Sequence, residues 1–180
     1  SMHVKRVAEY SKLIGLHYGL EEDEAELLKK ASPMHDIGKV GIPDSILLKN
    51  EPLTDKENEI IKQHPIFGGD TLKAVDTQAT GQSYLSMGKS IAYFHHERWD
   101  GTGYPNRLQG KQIPITGRIM AVADVYDALT TKRVYKDKIS HKEAMKVIIE
   151  EKGRHFAPEV VDALLELQND FLKIRKNFPG

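Results

Sequence analysis

The chain has 180 residues, enough for one domain with a buried core, and its 26 basic and 26 acidic side chains leave a formal net charge of zero. That balance removes any sequence-independent pull toward a polyanion, so DNA is not an expected partner. The chain has no cysteine, which excludes disulfides, thiolate zinc sites, iron–sulfur clusters and a cysteine nucleophile; any metal must be held by His, Asp or Glu.

Ser1-Met2 reads as a remnant of tag cleavage, with His3 already inside a helix, so residues 3–180 are read as one domain cut from a longer protein. Val4, Val7, Ser11 and Ile14 mark one face of the first helix, and Gly19 follows its end. The acidic run Glu21 to Glu24 suits the positive end of a second helix, whose buried face carries Ala25, Leu28 and Ala31. Ser32-Pro33 reads as the cap and first position of a fresh helical turn that carries MHDIGK. GIPDSILLKNEPL reads as a loop. Thr54 and Glu57 form a capping box for a third helix that runs to His64 and bends or breaks at Pro65. A further helix holds Asp70 to Val75, and 76–83 reads as a polar loop. The next helix ends at His95-His96. Residues 100–116 form a long loop, a strongly apolar helix spans GRIMAVADVYDALT, Ser140 and Glu143 cap another, and Pro158 starts the last. No segment alternates with a period of two, and no apolar run reaches the about 18 residues that span a membrane. The fold class is all-α, a single helical bundle.

Of the eight histidines, His17, His141 and His155 read as surface or satisfied residues. His3, His35, His64, His95 and His96 differ, each lying at a helix end or in an apolar setting. Asp36 and Asp124 share that character, and Asp124 sits in IMAVADVYDAL, where burial is expected. A buried lone carboxylate is costly and needs a partner or a metal. Imidazole and carboxylate together make a hard-to-borderline metal site. Neighbouring helical side chains point about 100° apart, so the doublets His35-Asp36 and His95-His96 suit two ions side by side. Lys39, three residues after Asp36, projects on the same side, where it can neutralise a phosphate oxygen.

HDIGKVGIPD at 35–44 and HHERWDGTGYP at 95–105, with His3, His64 and Asp124 in order around them, resemble the HD-GYP family, the bacterial branch of the HD-domain metal-dependent phosphohydrolases. The resemblance covers almost the whole chain, from His3 to about Ala157. It implies a helical HD domain with a metal site in its core, and hydrolysis of cyclic di-GMP to pGpG, and in some members on to GMP, by a hydroxide bridging the metals. It implies His3, His35, Asp36, His64, His95, His96 and Asp124 as metal ligands, Asp36 bridging, and Asp36 and Lys39 as the catalytic pair. Lys39, Asp100, Tyr104, Arg133 and Lys136 would meet the substrate. The implied cofactors are two divalent ions, iron or manganese. Members with three carry a glutamate four residues before the first histidine, a position that here precedes Ser1, so the third ion stays open. The resemblance further implies a cytoplasmic signalling protein with a sensory domain upstream, a diguanylate cyclase domain as partner for the GYP loop, and no membrane contact by this domain.

Two other functions fit the same residues: a non-catalytic cyclic di-GMP receptor or cyclase-interaction module, and an HD phosphohydrolase for another nucleotide such as cyclic GMP-AMP. The intact ligand set argues against the first. The GYP loop and the Arg133/Lys136 pair argue against a mononucleotide substrate. Trp99 is read as packing rather than as a base-stacking platform. Phe67-Gly-Gly-Asp70 is read as a close-packing device, Gly68 and Gly69 allowing a bend after Pro65.

Overall fold

The computed structural model describes residues 1–76, 84–133 and 136–180. Among these the protein is helical, with isolated bridges but no strand, in agreement with the all-α expectation. No described helix is long and apolar enough to cross a membrane. The loop expected over 76–83 lies outside the described residues except for Asp76, which closes a helix.

Helix α1 (Met2–Tyr18) ends on Gly19, whose φ of 118° lies in the left-handed region that favours glycine. Helix α2 (Glu22–Ala31) opens on Glu22, Asp23 and Glu24, whose charge suits its positive end. It runs directly into a 3-10 segment, Ser32–Gly41. Ser32 does not cap that segment. Its hydroxyl donates backwards to the Lys29 carbonyl at 3.0 Å, and Pro33, with its preset φ, starts the turn. In 3-10 geometry residues three apart eclipse one another, which aligns Lys39 with Asp36 more closely than an α-helix would.

The stretch read as a loop contains a short helix, α3 (Asp44–Leu47), whose Ile46 is drawn into the protein. Helix α4 (Asp55–Ile61) opens on the Thr54–Glu57 capping box with both bonds made, and it stops before His64. His64 instead opens helix α5 (His64–Asp76), which absorbs the separate helix expected from Asp70. Pro65 sits in its first turn, where a missing N–H costs nothing, so the proline begins a helix rather than bending one. Helix α6 (Tyr84–Phe94) stops just short of His95-His96, which form the turn leaving it. Helix α7 (Ile115–Thr130) is followed by α8 (His141–Glu150), capped by Ser140 and Glu143 as expected. The single last helix expected after Pro158 is two, α9 (Pro158–Glu166) and α10 (Gln168–Asn177). Leu167, at φ −102° and ψ 10°, departs from helical geometry between them.

The main core joins α1, α2, α6, α7, α8, α9 and α10. Tyr10 stacks on Phe171 with ring centroids 4.2 Å apart, and Tyr126 meets both edge-on. A smaller cluster of Met34, Leu72 and Ala92 lies under the 3-10 segment, α5 and α6. There the backbones meet. A Cβ on Gly38 would fall 1.8 Å from the His64 carbonyl oxygen and 2.5 Å from the Gly68 nitrogen. Gly69 gives the Tyr93 ring similar room, and Asp70 accepts from Tyr93 Oη at 2.5 Å, so the Gly68-Gly69 pair serves close packing.

Gly38 therefore sets how near His35-Asp36 can come to His64. Gly38→Ala must push the 3-10 segment off α5. It is expected to cost about 1–3 kcal/mol, read as a lower denaturant midpoint at unchanged m-value.

Candidate metal centre

The 3-10 segment supplies His35, Asp36 and Lys39; the start of α5 supplies His64; the turn after α6 supplies His95 and His96. The first turn of α1 supplies His3, and α7 supplies Asp124. The structure brings the seven expected ligands together in two groups joined by Asp36. Ligand atoms of His64, His95 and His96 lie within 4.8 Å of one another, and those of His3, His35 and Asp124 do the same. Asp36 stands between them: Oδ2 lies 3.1 Å from His35 Nε2, while Oδ1 lies 3.4 Å from His64 Nε2 and 3.7 Å from His95 Nε2. The doublets behave differently. His35 belongs to one group while Asp36 faces both, but His95 and His96 both serve one group, because they lie in a turn rather than on a helix.

Each ring but one is tied off on its outer nitrogen. Nδ1 of His35 meets the Ser32 carbonyl at 2.7 Å, Nδ1 of His64 the Ile61 carbonyl at 2.7 Å, and Nδ1 of His95 the carbonyls of Ile91 and Ala92 at 3.0 and 3.1 Å. His3 Nδ1 meets Asp127 Oδ2 at 2.5 Å. Those oxygens can only accept, so each Nδ1 carries a proton and each Nε2 is turned inward. His96 instead lays its ring on Tyr104, with centroids 4.8 Å apart.

The inward atoms oppose one another. His64 Nε2 and His95 Nε2 face each other at 3.3 Å with Asp36 Oδ1 beside both. His35 Nε2 is buried with no hydrogen-bond partner, between Asp36 and Asp124. Lone pair against lone pair is repulsive unless a positive charge lies between them. At His35 the neighbouring carboxylates draw a proton onto Nε2 to supply that charge. Burial works against the charged form of His35, but Asp124 and Asp36 outweigh it and raise His35 to about 10. Burial works against the Asp124 carboxylate too, and His35 outweighs it, taking Asp124 to about 2. Asp36 is likewise held far down by His35, His64 and His95 despite burial. Burial lowers His95, and burial with His95 and His64 alongside takes His96 to about 2. The carboxylates are thus kept ionised, and His95 and His96 are kept neutral. The donor set fits divalent cations.

Lys39 Nζ reaches Asp36 Oδ2 at 3.1 Å and is partly exposed beside the cluster. Tyr104 is half-buried against His96, and burial, with Asp36 and Asp124 beyond, pushes its hydroxyl up to about 12. The other expected substrate residues lie differently. The Asp100 carboxylate turns onto its own loop, accepting from Thr102 N at 3.0 Å and Thr102 Oγ1 at 2.6 Å. Arg133 and Lys136 pair their backbones, and residues 134–135 between them lie outside the described ones. Both side chains are exposed, and among the described residues no hydrogen bond or ion pair ties them to the cluster. Trp99 packs against the main core, in line with the packing reading. His141 is satisfied by Tyr126 Oη and Gln168 Oε1 at 2.8 and 2.9 Å, and His155 stacks on Phe156.

Three buried polar residues went unread in the sequence. Of the two aspartates in DVYDAL, Asp127 is fully buried and Asp124 is not, the reverse of the emphasis placed on Asp124. Arg6 pairs with Asp127. Glu97, directly after the histidine doublet, is buried and accepts from the backbone N–H of Asn106 at 2.7 Å and of Leu108 at 3.0 Å. It anchors the GYP loop, and Gly103 fits beneath it because a Cβ there would fall 2.4 Å from Arg98 N. The signal was present as the glutamate of HHE, but its loop partners are about ten residues away.

Residues 1–160 match the HD domain family. The chain belongs to that family, in its HD-GYP branch. It is 46% identical over 184 residues to a cyclic di-GMP phosphodiesterase of Vibrio cholerae, covering 98% of this chain and 37% of the relative. It is 47% identical over 177 residues to 3'3'-cGAMP-specific phosphodiesterase 2 of the same organism, covering 98% and 33%. A cyclic di-GMP phosphodiesterase of Thermotoga maritima is 42% identical over 172 residues, covering 96% and 45%. The chain thus spans less than half the length of these relatives. The crystal structure of a cyclic GMP-AMP specific phosphodiesterase of V. cholerae shares the fold, with a TM-score of 0.67 at 18% identity over 99% of this chain and 49% of that one.

Glu97→Gln leaves one amide oxygen for two backbone N–H groups. Hydrogen exchange at Asn106 and Leu108 is expected to quicken by about tenfold or more, with core amides of α7 unchanged.

Proposed function

We propose that this domain is a metal-dependent phosphodiesterase that opens cyclic di-GMP to pGpG. The observation that carries the reading is the inward convergence of Nε2 lone pairs on a carboxylate that faces both ligand groups. The activities for which the relatives are named support the substrate class. Similar identity to a relative named for 3'3'-cGAMP favours cyclic GMP-AMP as the second reading.

In this reading His64, His95 and His96 hold one ion, His3, His35 and Asp124 the other, and Asp36 lies between. The proposed ions are iron or manganese, two in number, with a third left to metal analysis. When bound, they supply Lewis acidity toward phosphoryl oxygen and a lowered pKa for water. The chain does the rest. Lys39, three residues from Asp36 on an eclipsed face, offers positive charge where a non-bridging phosphate oxygen gains negative charge. The Tyr104 ring, seated on His96 and held by the Glu97-anchored loop, walls one side of the reacting phosphate and limits water there. Asp100 shapes that loop from within. Arg133 and Lys136, exposed after the end of α7, are the proposed hold on the rest of the dinucleotide. A sensory domain elsewhere in a longer protein, a cytoplasmic location, and a diguanylate cyclase domain docking at the GYP loop complete the proposal.

The test is anaerobic incubation of the protein with cyclic di-GMP and Fe(II) or Mn(II), products resolved by chromatography. Appearance of pGpG or GMP is expected, with Asp36→Ala retaining under about a tenth of the rate and Lys39→Met losing about 10²-fold in kcat. Tight metal-dependent binding without turnover would favour the receptor function instead. Faster turnover of cyclic GMP-AMP would select the second substrate.

Metal analysis gives a separate check. His64→Ala and His35→Ala are each expected to lose one ion per chain while keeping the other. Loss of both from either variant would contradict two separable groups.

A further inference from the structure

On α1, His3 and Arg6 stand three residues apart on one face; on α7, Asp124 and Asp127 do the same. The two pairs meet across the helix interface. His3 Nε2 lies 3.6 Å from Asp124 Oδ1, and its Nδ1 lies 2.5 Å from Asp127 Oδ2. Arg6 grips the same carboxylate with two donors, Nε to Oδ1 at 2.6 Å and Nη2 to Oδ2 at 3.2 Å. Two of its other donors go to Thr131 Oγ1 at 3.1 Å and the Phe178 carbonyl at 2.7 Å. Asp127 has no exposed surface and Arg6 only 4%.

A buried ion pair is weak grounds for stability, because two apolar side chains of the same shape often serve as well. What an apolar pair cannot do is accept the Nδ1 proton of His3. Among the four rings tied off at Nδ1, three lean on a main-chain carbonyl three or four residues back. His3 alone of these depends on a side chain from another helix. A carboxylate free to rotate would not aim a ring, and Arg6 removes that freedom by holding both oxygens.

We propose that Asp127 and Arg6 are positioning residues for the His3/His35/Asp124 group: Asp127 fixes the His3 tautomer and aims Nε2 inward, and Arg6 locks Asp127 in place. This rests on the reading of the two groups as cation sites. The pair acts on one group only, since neither residue touches His64, His95 or His96 among the described interactions. Sites of this kind lose about 10- to 100-fold in metal affinity when the carboxylate behind a ligating histidine is removed.

The experiment is Mn(II) titration of the whole chain, with ions counted per protein and histidine ring nitrogens followed by 15N NMR. Wild type is expected to take two ions. In Asp127→Asn the affinity for one ion falls about 10- to 100-fold, the other is unchanged, and the His3 ring signals move from a single Nδ1–H tautomer to a mixture. Asp127→Asn leaves the Arg6 charge unpaired, so Arg6→Met/Asp127→Asn serves beside it. That double variant is expected to melt near wild type and still lose the same ion. Two ions at wild-type affinity with unmoved His3 signals in both variants would overturn the proposal. So would loss of both ions together with the helical far-UV signal in the double variant, which would make the pair a support of the fold. A wild type that binds no ion at either group would overturn the cation-site reading itself, and this proposal with it.

Discussion

Opposed lone pairs at the centre of the molecule constrain everything around them. Two imidazole nitrogens face each other at 3.3 Å with a carboxylate oxygen beside them, and a third nitrogen is buried without a donor. Such an array is unfavourable by itself and favourable around a cation. To hold it, the chain must prevent the rings from turning away. It does so by giving each outer nitrogen an oxygen that can only accept. For His35, His64 and His95 that oxygen is a main-chain carbonyl three or four residues back. Local backbone geometry thus orients three ligands at no cost in extra side chains.

The scaffold divides accordingly. The aromatic core of Tyr10, Tyr126 and Phe171 secures α1 to α7 and α10, and through them His3 and Asp124. The contact of Gly38 with the start of α5 secures the other half, bringing Asp36 to His64. The cluster lies where these two sets of contacts meet. Precision at a site of this kind depends on packed elements rather than on the flexible parts of the chain. The loop around Tyr104, which approaches the cluster, is held by a buried carboxylate rather than left to itself.

The difference between a ligand and its support is one helical turn. Asp124 and Asp127 are both aspartates of α7, three residues apart. One reaches the cluster and stays partly exposed; the other is buried and carries His3 and Arg6. Nothing in DVYDAL distinguishes them, because the distinction is made by what α1 presents opposite. Similarly, Ser32 reads as a cap but donates backwards, and Pro65 reads as a breaker but starts a helix. Each is a residue whose local chemistry permits two uses, and packing selects one.

By itself, the sequence determined the helical class, the capping boxes at Thr54 and Ser140, the glycine stop at Gly19, and the seven residues that gather in two groups. These rest on short-range rules: side-chain oxygens that cap nearby N–H groups, glycine at positive φ, and residue types with metal-binding chemistry set in long specific motifs. Only the tertiary structure decided that His95 and His96 share one group, that Asp36 shows one oxygen to each group, and that Asp127, Arg6 and Glu97 stand behind the site. Those facts depend on the angle at which α1 meets α7 and on how closely the 3-10 segment approaches α5. Both are set by steric contact between residues distant in the chain, such as Gly38 with Gly68 and His3 with Asp127, and no local pattern encodes a distance between segments.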